Sequence, residues 1–301
     1  MKPPAFQIRV PGSTANLGPG FDSIGLALNR FLVLNAKRAD KWQFHYLDQP
    51  EFHPQLDNNL IYQTAKKLAE SRQGKLPPYS VDVLSDIPLA RGLGSSGAAI
   101  IAGIELVDLL LDLRLSIDEK AWIACSIEGH PDNVTASLFG GLVVSTQSET
   151  GVHSARLPVP EFDFVALIPN CELKTSDARH VLPPSLTFRD AIEGSSVANV
   201  LICALLTNDG ELAGKMMESD RFHQPYRAPL IPNLDKISQM AREAGAYGTF
   251  LSGAGPTLMS LAPKIKSAAV QASLQSAFPE DECAILSPVG EGVQVSISSL
   301  S

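Results

Sequence analysis

PLARGLGSSGAA, residues Pro88–Ala99, is the stretch around which the rest of the sequence is organised. The alternating segment Tyr79–Leu84 before it predicts a strand, and the apolar segment Ala98–Leu111 after it predicts a buried helix. Three glycines and two serines fall within Gly92–Gly97. Glycine allows positive φ and close approach of a ligand to the backbone, and the amino terminus of a helix attracts anions. The pattern therefore favours a loop that binds phosphate groups.

Two other interpretations of this loop compete with phosphate binding. The string fits G-x-G-x-x-G, the dinucleotide-binding pattern, but Pro88–Arg91 separates the strand from the first glycine. A tight turn before a buried helix would also account for the glycines. The other phosphate-binding pattern, which ends in Gly-Lys, fails because no lysine follows Gly97. Phosphate binding is favoured, and nicotinamide chemistry stays open at this point.

Length and composition indicate an ordinary globular protein. The chain has 301 residues, 45% of them hydrophobic and 19% charged, which predicts two domains. A net charge of −8 without basic runs argues against a nucleic-acid partner. No apolar segment is long and uniform enough to span a membrane, and the first residues lack a secretory leader. Three of the four cysteines (Cys125, Cys171, Cys203, Cys283) lie in apolar surroundings, which predicts buried free thiols and a reducing cytoplasm.

The first half contains two more segments with candidate functional residues. A strand over Phe6–Val10 is expected to end at Pro11-Gly12, and VPGSTANLGPGFDSIGLAL (10–28) follows as a glycine-rich loop or a hairpin connection. The capping box that begins at Ser116 predicts a helix over Ile117–Glu128, ended by Gly129. EGHPDNVTASLFGG (128–141) then brings a glutamate, a histidine, an aspartate and an asparagine together. This cluster is either a site or a capped junction that starts a short helix.

The remaining elements predict an α+β fold. Further strands are expected at 31–36, 42–47, 142–144, 162–168, 246–251, 258–261, 283–286 and 293–296, and helices at 59–70, 195–206, 234–245 and 264–277. Residues 146–152 are expected to form a polar turn, with a domain boundary near residue 155. SGAGPT (252–257) is a third glycine-rich loop. Strands and helices without a strict alternation argue against a doubly wound sheet and so against dinucleotide binding.

The three glycine-rich loops, in this order and spelling, resemble the motifs of the GHMP small-molecule kinases. PLARGLGSSGAA is similar to the family's phosphate loop, and FLSGAGPTLMSL (250–261) to its third motif. The segment 10–28, EGHPDNVTASLFGG, KTSDARHVLPP (174–184) and RFHQPYRAPLIPN (221–233) resemble the branch that phosphorylates homoserine. The resemblance covers the whole chain. It implies a two-domain fold, with a phosphate-loop domain at 1–155 and an α/β-sandwich-like domain at 156–301.

The resemblance also implies a reaction and its residues. Phosphate would pass in line from ATP to the hydroxyl of L-homoserine, with Mg²⁺ held by Ser96 and Glu128. These two residues and Asn133 would be catalytic, and Asp132 would bind substrate without acting as a base. The ATP-binding residues would be Pro88, Leu89, Ala90, Arg91, Gly92, Leu93, Gly94, Ser95, Ser96, Gly97 and Ala98. The substrate-binding residues would be Asn16, Asp22, His130, Asp132, Asn133, Thr175, Arg179 and Arg227, beside the loop Ser252, Gly253, Ala254 and Gly255.

The two arginines suit a small amino acid, because guanidinium recognises a carboxylate through two parallel hydrogen bonds. Asp22 or another carboxylate would meet the ammonium group. Three alternatives stay open: another GHMP kinase, an NAD-dependent oxidoreductase, and a binding protein that kept the fold without activity. The resemblance leaves the oligomeric state open, with a homodimer as one option.

Overall fold

The computed structural model describes residues 3–48, 51 and 54–298 and contains two β-sheets covered by helices. The strands are β1 (Ala5–Ala15), β2 (Ile24–Arg38), β3 (Gln43–Tyr46), β4 (Tyr79–Ser85), β5 (Leu142–Ser148), β6 (Gly151–Leu157), β7 (Asp163–Ile168), β8 (Gly248–Leu251), β9 (Leu258–Ala262), β10 (Glu282–Leu286) and β11 (Gln294–Ser298). The first sheet runs β11-β1-β2-β4-β3, and the β5–β6 hairpin is attached to β2. The second sheet runs β10-β7-β9-β8.

Ten helices complete the described part of the chain. They are α1 (Leu60–Ser71), α2 (Ser95–Leu111), α3 (Ile117–Glu128), α4 (Asp132–Phe139), α5 (Thr175–His180), α6 (Phe188–Leu206), α7 (Gly210–Met217), α8 (Gln224–Arg227), α9 (Leu234–Glu243) and α10 (Lys264–Ala277). Helices α2 and α4 pack on the first sheet, whereas α7, α9 and α10 pack on the second. None of the helices in the described ranges is long and apolar enough to cross a membrane.

The strand pairing confirms the α+β class. Among the described strands, all pairs are antiparallel except β3–β4. Dinucleotide-binding folds instead need a parallel sheet, with the nucleotide at the carboxyl ends of the strands. The alternative of an NAD-dependent oxidoreductase therefore loses its structural basis.

Helix α2 fixes the position of the phosphate loop. It lies between the first sheet and helices α1 and α3, and residues on different sides of it, such as Ile100, Ile101 and Ala102, are buried. A helix that is apolar all round is stable only in such an interior position. Because the helix cannot shift without exposing this surface, its first turn and the loop before it are held in place.

Strand β1 is longer than the sequence predicts. It continues through Pro11-Gly12 to Ala15, and its register with β2 shifts between these two residues, where a proline is tolerated. The expected strand end at Pro11-Gly12 is therefore wrong. The segment 10–28 forms a β-hairpin whose connection, residues 16–23, also lines the candidate active site.

One further expectation about the middle of the chain needs correction. Residues 146–152 form the β5–β6 hairpin, with Ser148 paired to Gly151, rather than an extended polar turn. The sequence did not indicate these strand ends, because the segment is polar and lacks the apolar alternation of a half-buried strand. The expected boundary near residue 155 lies inside β6, and β11, from the second half of the chain, pairs with β1 in the first sheet. The domain ranges 1–155 and 156–301 stay a prediction.

The cysteines differ in part from the expectation of three buried thiols. All four are free, but Cys171 and Cys203 are exposed and only Cys125 and Cys283 are buried. Cys203 has apolar neighbours in sequence, yet it lies on the outer face of α6. Burial raises the pKa of Cys125 to about 12 and that of Cys283 to about 11, so both stay protonated at neutral pH.

Candidate active site

The three glycine-rich segments meet at one place between the two sheets. Ser252 donates a hydrogen bond to the carbonyl of Gly92 at 2.6 Å, and Ser13 N donates to Leu93 O at 3.1 Å. Gly253 N donates to Ala15 O at 3.2 Å, which joins the third loop to the end of β1. The residues joined by these bonds lie 80 or more positions apart in sequence, so the bonds close one cradle from three distant segments.

The phosphate loop has the backbone of an anion-binding site. Ala90, Gly92 and Gly94 all have positive φ (53°, 79° and 72°), and α2 begins at Ser95 directly after them. Alternation of left- and right-handed residues turns successive N–H groups toward one concave face, and the helix dipole adds to their attraction for anions. The sequence-predicted loop therefore has the expected geometry.

A Cβ atom at Gly94 would lie 2.2 Å from Ser13 Oγ and 3.1 Å from Asn133 Oδ1. One at Gly92 would lie 2.3 Å from the carbonyl oxygen of Ser252. Glycine is therefore required at these positions partly by the packing of the protein itself, because the neighbouring segments occupy the space that a side chain would need. Gly94 was expected to be glycine so that a nucleotide could approach, but its missing side chain faces protein atoms.

The two residues proposed to hold a metal ion contact each other. Ser96 Oγ, in the first turn of α2, donates to Glu128 Oε2, in the last turn of α3, at 2.8 Å. The capping box at Ser116 starts α3 and Gly129 ends it at φ 89°, as the sequence predicts. The position of Glu128 therefore follows from the bounds of α3 and its packing on α2.

His130, Asp132 and Asn133 form a second polar group at the start of α4. Asp132 Oδ1 lies 2.6 Å from His130 Nδ1 and accepts from Asn133 N at 2.7 Å. Burial lowers the pKa of His130, but the hydrogen bond and charge of Asp132 outweigh it, so the pKa is raised overall. Asp132 is the first residue of the short helix α4, which has no side-chain cap at its amino terminus, and it also lines the cavity.

Asp22 and Arg179 form an ion pair across the cavity. Arg179 Nη2 and Nη1 donate to the two carboxylate oxygens of Asp22 at 2.7 and 3.1 Å. The guanidinium carbons of Arg179 and Arg227 lie 5.6 and 5.2 Å from the ring centre of Phe21. Sequence analysis did not single out Phe21, although the motif 10–28 contains it.

Arg227 is 2% exposed and largely bound by the protein itself. Its Nε donates to Ala178 O at 3.0 Å, and its Nη1 lies 3.0 Å from Gly253 O and 3.1 Å from His223 Nδ1. Burial, with repulsion from Arg179, lowers the pKa of Arg227 to about 10, so it is still charged at neutral pH. The described residues provide no hydrogen bond to Nη2, which leaves that edge for a ligand.

Asn16 also forms hydrogen bonds within the protein. Its Nδ2 donates to Gly253 O at 3.0 Å, and its Oδ1 accepts from Asp22 N at 3.0 Å. The side chain predicted to bind substrate therefore holds the first loop against the third and orients Asp22.

These groups surround a cavity of about 220 Å³. Its lining contains three carboxylates and three cations, so it presents both charge signs at close range. The lining residues are Asn16, Phe21, Asp22, Ala90, Gly92, Gly94, Ser95, Ser96, Glu128, His130, Asp132, Asn133, Leu173, Lys174, Thr175, Arg179, Arg227, Gly253, Ala254 and Gly255. All eight residues predicted to bind substrate are among them.

Several residues of the predicted ATP-binding stretch lie outside this lining. Leu93 and Ala98 are buried in the core, and Arg91 faces Glu172 at 3.8 Å. Pro88, Leu89 and Gly97 also lie outside it, as does Ser252 of the third glycine-rich loop. Lys174 is a cation of the lining that sequence analysis did not single out, although the motif 174–184 begins with it.

A second, more apolar pocket of about 360 Å³ lies on the other side of the phosphate loop. It shares Ala90, Ser95 and Ser96 with the first cavity. The other lining residues are Leu32, Tyr46, Pro54, Asn58, Asn59, Leu60, Ile61, Ser85, Ile87, Leu89 and Ala99. Sequence analysis missed this pocket, because its walls come from separate elements and no single segment carries its pattern. An apolar pocket beside an anion-binding loop is suited to the base of a nucleotide.

Comparison with known proteins agrees with this geometry. Residues 59–141 match the GHMP kinase N-terminal domain and residues 201–280 the GHMP kinase C-terminal domain. A homoserine kinase from Bacillus velezensis is 52% identical over 95% of this chain and 93% of its own length. A Listeria monocytogenes structure assigned as a homoserine kinase has a TM-score of 0.84 at 41% identity, covering 97% of this chain and 99% of its own. A homoserine kinase from Cytophaga hutchinsonii has the same TM-score at 25% identity, over 97% and 98%.

These similarities extend over both sheets and all three glycine-rich loops. They agree with the two-domain architecture and with the resemblance that the sequence motifs indicate. The chain belongs to the GHMP kinase family.

Proposed function

We propose that this protein is a kinase that transfers phosphate from ATP to the hydroxyl group of L-homoserine. The observation that carries the proposal is the pair Asp22–Arg179 beside the phosphate loop. The pair offers one carboxylate and one guanidinium at the separation of a salt bridge. A free amino acid carries the complementary ammonium and carboxylate groups, so it can replace this internal pair with two new ones.

The nucleotide is expected to occupy both sides of the phosphate loop. The phosphates would lie against the backbone N–H groups of residues 92–96, and the adenine would enter the apolar pocket next to Leu60 and Ala99. This arrangement directs the terminal phosphate toward the polar cavity. Lys174, at the edge of that cavity, adds a positive charge near the transferred group.

The residues present also fit a magnesium ion. Ser96 and Glu128 supply two oxygen atoms 2.8 Å apart, and two adjacent ligands in octahedral Mg²⁺ coordination lie about 3 Å apart. These residues would hold the ion, which when bound would neutralise phosphate charge.

The protein's contribution to the reaction is positioning and charge. The acceptor hydroxyl oxygen forms a bond to the terminal phosphorus of ATP while the bond to the bridging oxygen breaks and ADP leaves. Asp132 Oδ1 is already hydrogen-bonded to His130 Nδ1 and to Asn133 N. Asp132 is therefore better placed to orient these groups than to remove the hydroxyl proton. That proton would pass to a phosphate oxygen or to water.

The zwitterion is expected to bind between the two halves of the site. Its carboxylate would bind Arg179 and the open Nη2 edge of Arg227, and its ammonium would bind Asp22. Arg227 is almost fully buried, so an anion at this edge would compensate a charge that is largely removed from solvent. We also propose a cytoplasmic location, which the four free cysteines support. A homodimer stays a prediction.

A coupled assay of ADP release tests the proposal directly. Homoserine should be turned over, whereas serine, mevalonate and galactose should be poor substrates. Serine retains both charged groups but is one methylene shorter. Comparing it with homoserine therefore tests how turnover depends on the distance between the charged groups and the hydroxyl. Faster turnover of mevalonate would assign the chain to another branch of the family. Binding of ATP with magnesium but no turnover of any of these substrates would indicate a binding protein.

A further inference from the structure

The second half of the site contains a buried histidine to which the proposed reaction assigns no role. His223 is 0% exposed and precedes α8, the short helix that carries Arg227. Its ring stacks on Phe21, with ring centres 5.2 Å apart and planes at 22°. A fully buried imidazole normally has partners for both nitrogens, and the identity of those partners fixes which nitrogen carries the proton.

The two ring nitrogens of His223 have different partners. Nε2 lies 2.9 Å from the carbonyl oxygen of Gly18, which can only accept, so Nε2 carries the hydrogen. Nδ1 lies 3.1 Å from Nη1 of Arg227, which can only donate, so Nδ1 is the acceptor. The ring is therefore neutral and in one tautomer. It connects the hairpin connection 16–23 to the guanidinium.

The groups around the ring favour this state. Asp220 Oδ2 lies 3.5 Å from Nε2 but already accepts from the backbone N–H groups of His223 and Gln224. Burial is the main cause that lowers the pKa of His223, to about 4; Arg227 lowers it further, and Asp220 and Asp22 oppose the shift. A protonated ring would place a second donor and a second charge against Arg227.

We propose that His223 is a positioning residue for substrate binding, because its unprotonated Nδ1 sets the orientation of the Arg227 guanidinium. With Nε bound to Ala178 O and Nη1 bound to Gly253 O and His223, the plane of the guanidinium is fixed. Its Nη2 edge is then presented to the cavity before substrate arrives. The inference rests on the proposed function in one respect only, namely that the anion at this edge is the carboxylate of homoserine.

Kinetics of three variants separate the two contacts of the ring. His223→Asn can keep an acceptor near the Nδ1 position, His223→Gln can keep a donor near the Nε2 position, and His223→Leu loses both. The KM for homoserine should rise about tenfold or more in the Leu and Gln variants and much less in the Asn variant. The KM for ATP should change little in all three. Homoserinol, which lacks the carboxylate, should be used about equally by the parent and the variants.

Gln224→Leu is the matched control for displacement of the helix. Gln224 anchors the same short helix through hydrogen bonds to Met217 O and Leu251 N, but it does not contact the guanidinium. If this variant raises the KM for homoserine as much as His223→Leu does, the effect is displacement of α8 and the inference is wrong. Equal loss toward homoserine and homoserinol in His223→Leu would also overturn it.

A spectroscopic measurement does not depend on the substrate. In ¹⁵N-histidine-labelled protein at pH 7, His223, assigned with the Asn variant, should show a protonated Nε2 and an unprotonated Nδ1. Arg227→Leu should raise its pKa, because a buried positive charge is removed. A protonated Nδ1 would overturn the inference. If the tautomer and the shift are observed but homoserine is not a substrate, the positioning of Arg227 stands and the proposed function fails.

Discussion

Ser96 Oγ donates a 2.8 Å hydrogen bond to Glu128 Oε2, which joins the first turn of α2 to the last turn of α3. The two residues are 32 positions apart, and they meet because α3 packs against α2. The contact places a hydroxyl and a carboxylate at the mouth of an anion-binding loop. It is the part of the site on which the proposed role of magnesium depends.

Glu128→Gln should lower turnover by orders of magnitude while the fold is retained. The amide preserves the shape and can still accept from Ser96, but it removes the charge that would help to hold the metal ion. Initial rates across a magnesium titration measure the effect. Glu70→Gln, an exposed glutamate on α1, is the control and should behave as the parent. A parent-like rate at every magnesium concentration would leave Glu128 with a structural role only.

Arg179→Leu should raise the KM for homoserine without raising the KM for homoserinol. Loss of the guanidinium removes a partner of the carboxylate, so the KM for homoserine should rise roughly ten- to a hundredfold. The same change frees Asp22 from its ion pair, so the KM for homoserinol, which keeps only the ammonium, should stay equal or fall. Steady-state kinetics with both substrates give the comparison.

Arg221→Leu is the control for this prediction. Arg221 also pairs through two nitrogens with a carboxylate, Glu193, but the pair is exposed and lies outside the cavity. Its removal should leave both KM values unchanged. A parallel rise in the KM for homoserine and homoserinol in Arg179→Leu would mean that the arginine acts on the fold or on the phosphates.

The His130–Asp132 pair should make the charge state of His130 depend on Asp132. Asp132→Asn removes the hydrogen-bonding carboxylate while burial remains, so the pKa of His130 should fall below that of the parent. Because the folded-state pKa is raised, the stabilisation is complete below the ordinary value of about 6.5 and is lost as the pH rises through the folded value. NMR titration and urea unfolding at several pH values measure both effects. An unchanged titration in the variant would contradict this account.

Gly94→Ala should destabilise the phosphate loop more than Gly129→Ala destabilises the end of α3. Both residues have positive φ, 72° and 89°, but a Cβ at Gly94 would lie 2.2 Å from Ser13 Oγ, whereas one at Gly129 has nothing within 4 Å. Backbone strain alone costs about 1–2 kcal/mol, so the Gly129 variant serves as the measure of strain without a clash. Urea unfolding compares the two. Equal losses would show that the close contact with Ser13 relaxes at no cost.

Ala99→Leu should weaken the binding of ATP selectively. Ala99 lines the apolar pocket proposed for adenine but not the polar cavity. Three added carbon atoms would occupy space that the base needs, so the KM for ATP should rise about tenfold or more, with little change in the KM for homoserine. A variant with an unchanged KM for ATP would place the base elsewhere.

The local elements of the site could be predicted from the sequence because each depends on residues close together in the chain. The glycines of 92–97, the buried helix after them and the capping box at Ser116 act within one or two helical turns, and all three have the expected structure. The family resemblance extended this by identifying all eight substrate-binding candidates that line the cavity. The β5–β6 hairpin was missed because its polar strands lack a clear period of two.

Only the tertiary structure decides which of these residues act on one another. Asp22 and Arg179 are 157 positions apart, and His223 and Gly18 are 205 apart, so no sequence pattern relates them. Their distances depend on how the two sheets pack and on the loop connections between them. The apolar pocket beside the phosphate loop has the same origin, since its walls come from separate elements. Local conformational preference and apolar periodicity, which act within short segments of the sequence, set the phosphate loop and the helices beside it, whereas long-range packing set the pairs of charges that give the site its chemistry.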